Sequence, residues 1–466
     1  MSLATLIENI KVNGPHVREA AGRGNLAVLK SMLGPAWRGL FKQVGKADIT
    51  TTLPIAHDVH FDWQYERDRP EMARLYEAAK VSQWNAATDI DWSLDVDPDN
   101  PERALLPDSY VPVKGLPIWE NLSRKEKNKQ VHAVTSWMLS QFLHGEQGAL
   151  FAACQVTTAV PWLDGKLYGS TQVVDEGRHV EVFHGYLTRK LEKLYEINDN
   201  LYVIVDALMS DSRWDVKFLG MQIMIEGLAL GAFGTLRKMT REPLLKDILK
   251  FVITDEARHV HYGVLSIQEF VEKGISEKER REREDWAFEV ALLMRNRFLA
   301  HEFYDEFYAH AMTRKQWDDI VNRSDMMQMF RSTMFKRIVP NLKRIGLLSD
   351  RVRPSRVVQM RASMSLVNGL CGKLKSLVSQ PLRVVCLPGT TSATTGIRFA
   401  SSTDRSYDGQ DIASRTMPRT RVAVAIIRPG SGVKSAVIST RLPRGRTPTP
   451  VDRRLVPTTA TGTGRM

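Results

Sequence analysis

Cysteine is scarce in this chain of 466 residues, which has only Cys154, Cys371 and Cys386. Three widely spaced thiols exclude a disulfide framework, a four-thiolate iron centre and a Cys-x-x-Cys redox site. We therefore expect a protein of a reducing compartment, the cytoplasm. Residues 1–10 have neither a basic leader nor a small-residue cleavage site, so no secretory signal is expected.

Acidic residues become rare at the end of the chain. Residues 381–466 contain 4 Asp and no Glu against 13 Arg and 1 Lys, and so carry +10 of the net charge of +12. Thr, Ser, Pro and Gly supply 38 of these 86 residues, a composition that predicts a disordered basic tail. The alternative is an arm that binds nucleic acid or anionic lipid. Because the remaining residues are nearly neutral, we expect no nucleic-acid partner.

Long hydrophobic runs are also missing. The longest notable stretch without a charged residue is 147–163, which has 17 residues and contains Pro161. A helix that crosses a membrane needs about 20 apolar residues. We therefore predict a buried helix of a bundle here and no membrane span.

Helical periodicity dominates the middle of the chain. It predicts long helices at 123–159, 167–194, 214–239, 243–272 and 277–308. We divide the chain into a mixed helical and loop extension at 1–110, a helical domain at 111–345, a terminal helical segment at 346–380 and the tail at 381–466.

Two pentapeptides in these helices share the pattern Asp-Glu-x-Arg-His, at 175–179 and at 255–259. In a helix, Glu and His three residues apart project from the same face, so each copy offers a pair that can bind one metal ion. A buried carboxylate and imidazole are costly unless they are paired, protonated or bound to metal. The candidate ligands of the two copies are Glu176 and His179, and Glu256 and His259.

A further glutamate stands thirty residues before each of these, at Glu146 and Glu226. In a helical hairpin with equal arms, residues thirty apart lie at the same level along the bundle axis. We therefore expect Glu146 to face Glu176 and His179, and Glu226 to face the pair in the second copy. Four carboxylates balance the charge of two divalent ions, and imidazole suits iron, manganese or zinc. Buried salt bridges of the glutamates with Arg178 and Arg258 are the alternative.

The other residues of the motif suggest outer partners. We expect Asp175 and Asp255 to accept hydrogen bonds from the distal N–H groups of the histidines, which would orient both rings. Arg178 and Arg258 would pair with these aspartates, unless they form plain surface salt bridges. Tyr262, three residues after the second histidine, is a candidate catalytic phenol or else a packed core tyrosine.

Over residues 123–272 the chain resembles the ferritin-like di-iron carboxylate oxygenase superfamily, and the doubled motif is most similar to the hydroxylase subunits of bacterial multicomponent monooxygenases. The resemblance implies an all-α fold, a ferritin-like four-helix bundle with flanking helices. It also implies that two iron ions, or a Mn/Fe pair, activate O2 and oxidise a small organic substrate. A separate reductase or ferredoxin would supply the electrons, and a homodimer is compatible with this family.

The metal ligands implied by the resemblance are the six residues already named: Glu146, Glu176, His179, Glu226, Glu256 and His259. Three positions depart from related families. Leu230 stands where the hydroxylases have a threonine, Phe183 where the ribonucleotide reductase small subunit has a radical tyrosine, and Val252 where arylamine N-oxygenases have a third histidine.

These departures leave the reaction open between hydroxylation, N-oxygenation and related oxidations. The alternatives to a small-molecule oxygenase are an acyl-chain desaturase, a ferroxidase or iron-storage protein, and a non-enzymatic module with structural metals. Glycines beside the ligands, such as Gly145 and Gly231, indicate either room for substrate or close approach of helices.

Overall fold

The computed structural model describes residues 3–21, 25–46, 50–55 and 57–349. The predicted tail at 381–466 and nearly all of the predicted terminal helical segment lie outside these ranges. Within them the protein is helical and contains no β-strand, which confirms the predicted all-α class.

The helices before the central bundle are α1 (Leu3–Ala21), α2 (Leu26–Ala36), α3 (Pro70–Val81) and the short α4 (Pro117–Glu120). The bundle contains α5 (Arg124–Ala159), α6 (Leu163–Arg189), α7 (Asp199–Ser210), α8 (Trp214–Phe218), α9 (Glu226–Met239) and α10 (Pro243–Glu269). The chain continues through α11 (Glu277–Arg297), α12 (His301–Phe307), α13 (Arg314–Arg323) and α14 (Asp325–Arg344).

The first hairpin consists of α5 and α6. Ser123 begins α5 with a capping box, in which its side chain accepts from the backbone N–H of Glu126 and Glu126 accepts from Ser123 in return. The helix ends before Pro161, as the sequence predicts. After a three-residue connection, α6 returns against α5 along its length.

The second hairpin consists of α8, a π-helical segment (Leu219–Ile225), α9 and α10. The predicted helix at 214–239 is continuous in space, but the π-helical segment widens it just before Glu226. Gly220 lies in this segment, where an added Cβ would come within 2.8 Å of Trp286. In the turn, Thr240 and Glu242 are buried, and Glu242 caps α10 by accepting from two of its first backbone N–H groups.

Two of the predicted helices differ in extent. The predicted helix at 167–194 runs from Leu163 to Arg189 instead. The predicted helix at 277–308 is broken, because Ala300 takes a left-handed backbone conformation with φ of 52° that a right-handed helix cannot include.

The N-terminal extension packs directly on the bundle. Helix α3 lies against α6 and α10, and the residues that follow it reach the buried interior. Trp84 is only 7% exposed. The part of the chain before residue 110 therefore helps to enclose the bundle core.

One helical stretch among the described residues, Trp214–Met239, is long and apolar enough to cross a membrane by length and composition. However, 89% of its most apolar window is buried inside the protein. Its apolar character is explained by its position in the core of the bundle.

Candidate metal centre

The six residues predicted as ligands converge in the interior of the bundle. Helices α5 and α9 each contribute one glutamate, and α6 and α10 each contribute a glutamate and a histidine. All six are at most 5% exposed. This arrangement is that of ferritin-like bundles that bind two metal ions with carboxylates and histidines.

The first ligand group consists of Glu146, Glu176, His179 and Glu256. The Nδ1 atom of His179 lies 3.2 Å from Oε2 of Glu146 and 3.3 Å from Oε2 of Glu176. It also lies 3.3 Å from Oε1 of Glu256, which comes from the second hairpin. One imidazole and three carboxylates therefore face a common point.

The second ligand group consists of Glu176, Glu226 and His259. The Nδ1 atom of His259 lies 3.1 Å from Oε1 of Glu176 but 3.9 Å from Oε2 of Glu256. The predicted grouping of Glu226 with Glu256 and His259 is thus only partly right. Because α6 and α10 face each other across the bundle, Glu176 belongs to both groups and is placed to bridge them.

Each histidine turns its other ring nitrogen to an aspartate of the opposite motif copy. Nε2 of His179 lies 3.3 Å from Asp255, and Nε2 of His259 lies 3.1 Å from Asp175. When each Nε2 carries an N–H that points to a carboxylate, each Nδ1 faces the ligand group and can offer its lone pair to a metal ion. The contacts thus give both rings the orientation that a metal-binding histidine needs.

Arg178 and Arg258 connect the two aspartates. Each arginine contacts the aspartate of its own helix and also reaches across, Arg178 to Asp255 at 3.5 Å and Arg258 to Asp175 at 3.4 Å. Both arginines are only 9% exposed. They form a buried network of four charges, and the alternative of plain surface salt bridges is wrong.

Sequence reasoning missed two residues that close this network from outside. The indole N–H of Trp84 donates to Asp255 at 2.8 Å, and Gln83 accepts a hydrogen bond from Arg178 at 2.5 Å. Both follow α3 and lie about ninety residues before the first motif. Nothing in the local pattern of α3 indicates these contacts.

A third missed residue, Gln172, lies among the ligands themselves. Its side-chain amide is fully buried and donates to Glu176 and to Glu226. Gln172 precedes Glu176 by one helical turn on the same face of α6. That spacing is a signal from which it could have been found.

The proton affinities of these groups show how strongly their charges interact. Burial and the charge of nearby carboxylates raise the pKa of Glu146 and of Glu226 well above the usual value. Burial alone would raise the pKa of Glu176 too, but the two histidines lower it well below its usual range. Burial would lower the pKa of His179 and of His259, yet the surrounding carboxylates raise both well above normal.

Several buried ligand atoms make no hydrogen bond. They include Oε2 of Glu226, both carboxylate oxygens of Glu256, and Nδ1 of His259. Buried polar atoms are nearly always paired, so such a cluster needs an explanation. Two divalent cations would satisfy these atoms, because carboxylate and imidazole donors in two closely spaced groups fit a pair of metal ions.

The contacts of Tyr262 are those of a packed core residue. Its hydroxyl donates to the carbonyl of Gly165 at 2.8 Å, and its ring packs against Tyr168 at 4.6 Å. None of its described hydrogen bonds reaches one of the six ligand residues. Its catalytic role stays a prediction.

The positions that depart from related families have ordinary surroundings. Phe183 packs in an aromatic cluster with Phe142 and Phe233, at ring distances of 6.1 and 5.6 Å. Val252 is fully buried, and Leu230 is partly buried. Phe183 and Val252 therefore contribute apolar packing where the related families have a tyrosine and a histidine.

Comparisons with known proteins add a likeness of fold only. No family model and no curated protein matches the chain. Solved structures of R2-like ligand-binding oxidase mutants with a reconstituted Mn/Fe cofactor do match. One is 20% identical, with 62% of this chain and 99% of that chain covered and a TM-score of 0.41. Another is 21% identical, with 62% and 100% covered and a TM-score of 0.39. A likeness at this level carries no functional conclusion for this chain.

Proposed function

We propose that this protein is an O2-dependent di-metal oxidoreductase that oxidises a small organic substrate. One observation carries the proposal: six buried donor residues from four helices converge, and several of their atoms make no hydrogen bond. The six ligands would be Glu146, Glu176, His179, Glu226, Glu256 and His259. A pair of iron ions, or manganese with iron, supplies the electrons for reducing O2 when bound there.

The residues of the chain would hold and orient this pair. Glu176 would bridge the two ions, since it belongs to both ligand groups. Asp175 and Asp255 would accept a hydrogen bond from the proton on each Nε2, so that each Nδ1 would be the ring nitrogen that binds an ion. Arg178 and Arg258 would keep both aspartates ionised and in place.

The surroundings of the first ligand group favour an organic substrate over iron as the substrate. Phe142 and Phe183 lie one helical turn from Glu146 and His179, and Phe233 packs on both rings. Next to Glu146, Gly145 is buried, and a Cβ added to it would meet nothing within 4 Å. Apolar rings one turn from the ligands suit an uncharged organic molecule better than they suit a hydrated ferrous ion.

The reaction class and the electron donor belong to the same proposal. Hydroxylation and N-oxygenation are the reactions we favour. Electrons would come from a separate reductase or ferredoxin, because the sequence has no nicotinamide or flavin motif. The protein would work in the cytoplasm.

The test compares two histidines on α6. His179 is fully buried in the first ligand group, whereas His184, five residues later, is exposed. Metal-free protein would be loaded with Fe2+ without oxygen, and O2 uptake would then be measured with and without a panel of small aromatic amines and alcohols. We expect H179N to lose bound iron and O2 uptake, and H184N to keep both.

The same assay separates the alternatives. Substrate-dependent O2 uptake with an oxidised organic product supports an oxygenase. If the protein mineralises iron and oxidises no organic molecule, it is a ferroxidase and our proposal is wrong. Equal iron content and equal O2 uptake in H179N and H184N would show that His179 binds no metal and that the proposed metal site is wrong.

A further inference from the structure

We infer that Gln172 is a positioning residue for the second ligand group, holding Glu226 so that it offers one oxygen to a metal ion and holding Glu176 beside it. The inference rests on the proposed function, because it assumes that the two ligand groups bind ions. It adds a residue outside the Asp-Glu-x-Arg-His motif, and it makes the two halves of the site chemically unequal.

The contacts of Gln172 are short and shared between two ligands. Its Nε2 lies 2.9 Å from Oε1 of Glu226 and 3.0 Å from Oε1 of Glu176. A side-chain amide has two hydrogens, so it can donate one to each carboxylate. Two like charges that would otherwise repel are thereby held side by side.

This arrangement determines which oxygens remain for a metal ion. On Glu226 the amide occupies Oε1, and Oε2 is buried with no hydrogen bond. Glu226 is thus prepared to bind through one oxygen. In the first ligand group, the described partner of Glu146 is His179, and no described glutamine donates to Glu146 or Glu256.

Gln172 is itself oriented by a second buried glutamine. Nε2 of Gln222 lies 3.5 Å from Oε1 of Gln172, which directs the NH2 group of Gln172 toward the carboxylates. Gln222 lies in the π-helical segment, one turn before Glu226. π-Helical turns inside α-helices often occur at functional sites, and here the turn brings Gln222 toward α6.

Space for Gln222 depends on Gly263 of α10. A Cβ at residue 263 would lie 2.5 Å from Cβ of Gln222, which is closer than real side chains allow. Gly263 therefore leaves room for Gln222, Gln222 contacts Gln172, and Gln172 donates to Glu226. None of these three residues is in the ligand set.

The experiment is a metal titration of the full-length protein. Metal-free protein is titrated with Co2+, and binding is followed by calorimetry and by the visible absorption of the bound ion. E146Q and E226Q first identify which binding step belongs to which ligand group. Q172M, which keeps the side-chain length but has no donor, is then compared with the wild type.

We expect Q172M to weaken the same step as E226Q by about 10- to 100-fold, the usual effect of losing an outer partner of a ligand. The other step should change by no more than about threefold. The matched control is Q130M, which removes another buried glutamine of the bundle, and it should leave both steps unchanged. Q222M should weaken the same step as Q172M by a smaller factor.

The outcomes separate this inference from the proposed function. If the wild type binds fewer than two ions, both are wrong. If it binds two, and Q172M alters neither step or weakens both equally, the role of Gln172 is wrong while the proposed function stands. Should Q172M fail to fold, the step weakened by Q222M decides by the same criterion.

Discussion

The two hairpins of the bundle carry the same ligand spacing but are built differently. In the first, α5 and α6 are unbroken α-helices, and Glu146 lies in the middle of a helix of 36 residues. In the second, the π-helical segment ends at Ile225, so Glu226 lies at a change of helical type. The repeated motif thus supplies the same glutamate and histidine in both hairpins. The helices without the motif, α5 and α9, differ in how they present the remaining glutamate of each hairpin.

The comparison also shows that neither hairpin makes a complete ligand group. Glu256 of the second hairpin lies with the first ligand group, and Glu176 of the first hairpin lies with both. The outer aspartates are exchanged in the same way. Docking of the two hairpins is therefore required to complete either ligand group.

The largest effect should follow from changing the shared glutamate. Glu176→Gln removes a charge that both ligand groups use, so we expect loss of both ions, with affinity reduced by more than about 100-fold. Glu226→Gln should release only one ion. Metal content after gel filtration, measured by atomic emission, checks both variants. Retention of one tightly bound ion by the Glu176 variant would mean that the groups are independent.

The next effect tests the exchange of aspartates between the hairpins. Asp255→Asn should weaken the ion held by His179, and Asp175→Asn the ion held by His259, each by about 10- to 100-fold. The reason is that an amide is a weaker acceptor for the imidazole N–H than a carboxylate is. Titration with Co2+ identifies the affected step. If each variant instead weakens the step of the histidine on its own helix, the crossing is refuted.

The smallest effect concerns a buried lysine that joins the hairpins. Lys217 of α8 is fully buried, and its Nζ donates to Gln155 of α5 and to the carbonyl of Met209. Burial lowers the pKa of Lys217 to about 8. An unfolded lysine has a pKa near about 10.4, so between these values the unfolded chain binds more protons and stability rises with pH.

Lys217→Met should flatten that rise, by at most about 1.4 kcal/mol per pH unit between about pH 8 and 10.4. Urea unfolding of the metal-free protein at several pH values measures the slope. Lys238→Met, at an exposed position of α9, is the control and should keep the wild-type slope. A slope that is equal in all three proteins would show that Lys217 is equally protonated in the folded and unfolded chains.

Sequence reasoning succeeded where the information is local. The helical hairpins and the convergence of the six candidate ligand residues follow from periodicity and from intervals of thirty residues, because equal helical arms bring both ends of such an interval to the same level of the bundle. The α5 start at Ser123 follows from its capping box in the same way. These features depend on residues of one helix or one hairpin.

The misses depend on how distant elements pack. Glu226 lies with Glu176 because of how α6 of one hairpin packs against α10 of the other. The spacing of residues within one hairpin does not determine that packing. Trp84 comes from a loop far along the chain, and the π-helical segment and the break at Ala300 have no strong local pattern.

The exchange of partners between the motif copies is reciprocal: His179 meets Asp255, and His259 meets Asp175. Reciprocal contacts of this kind are what two identical subunits display about a two-fold axis. A single polypeptide here reproduces internally the symmetry of a homodimer of hairpins. A substitution of either aspartate therefore acts on the histidine of the other motif copy.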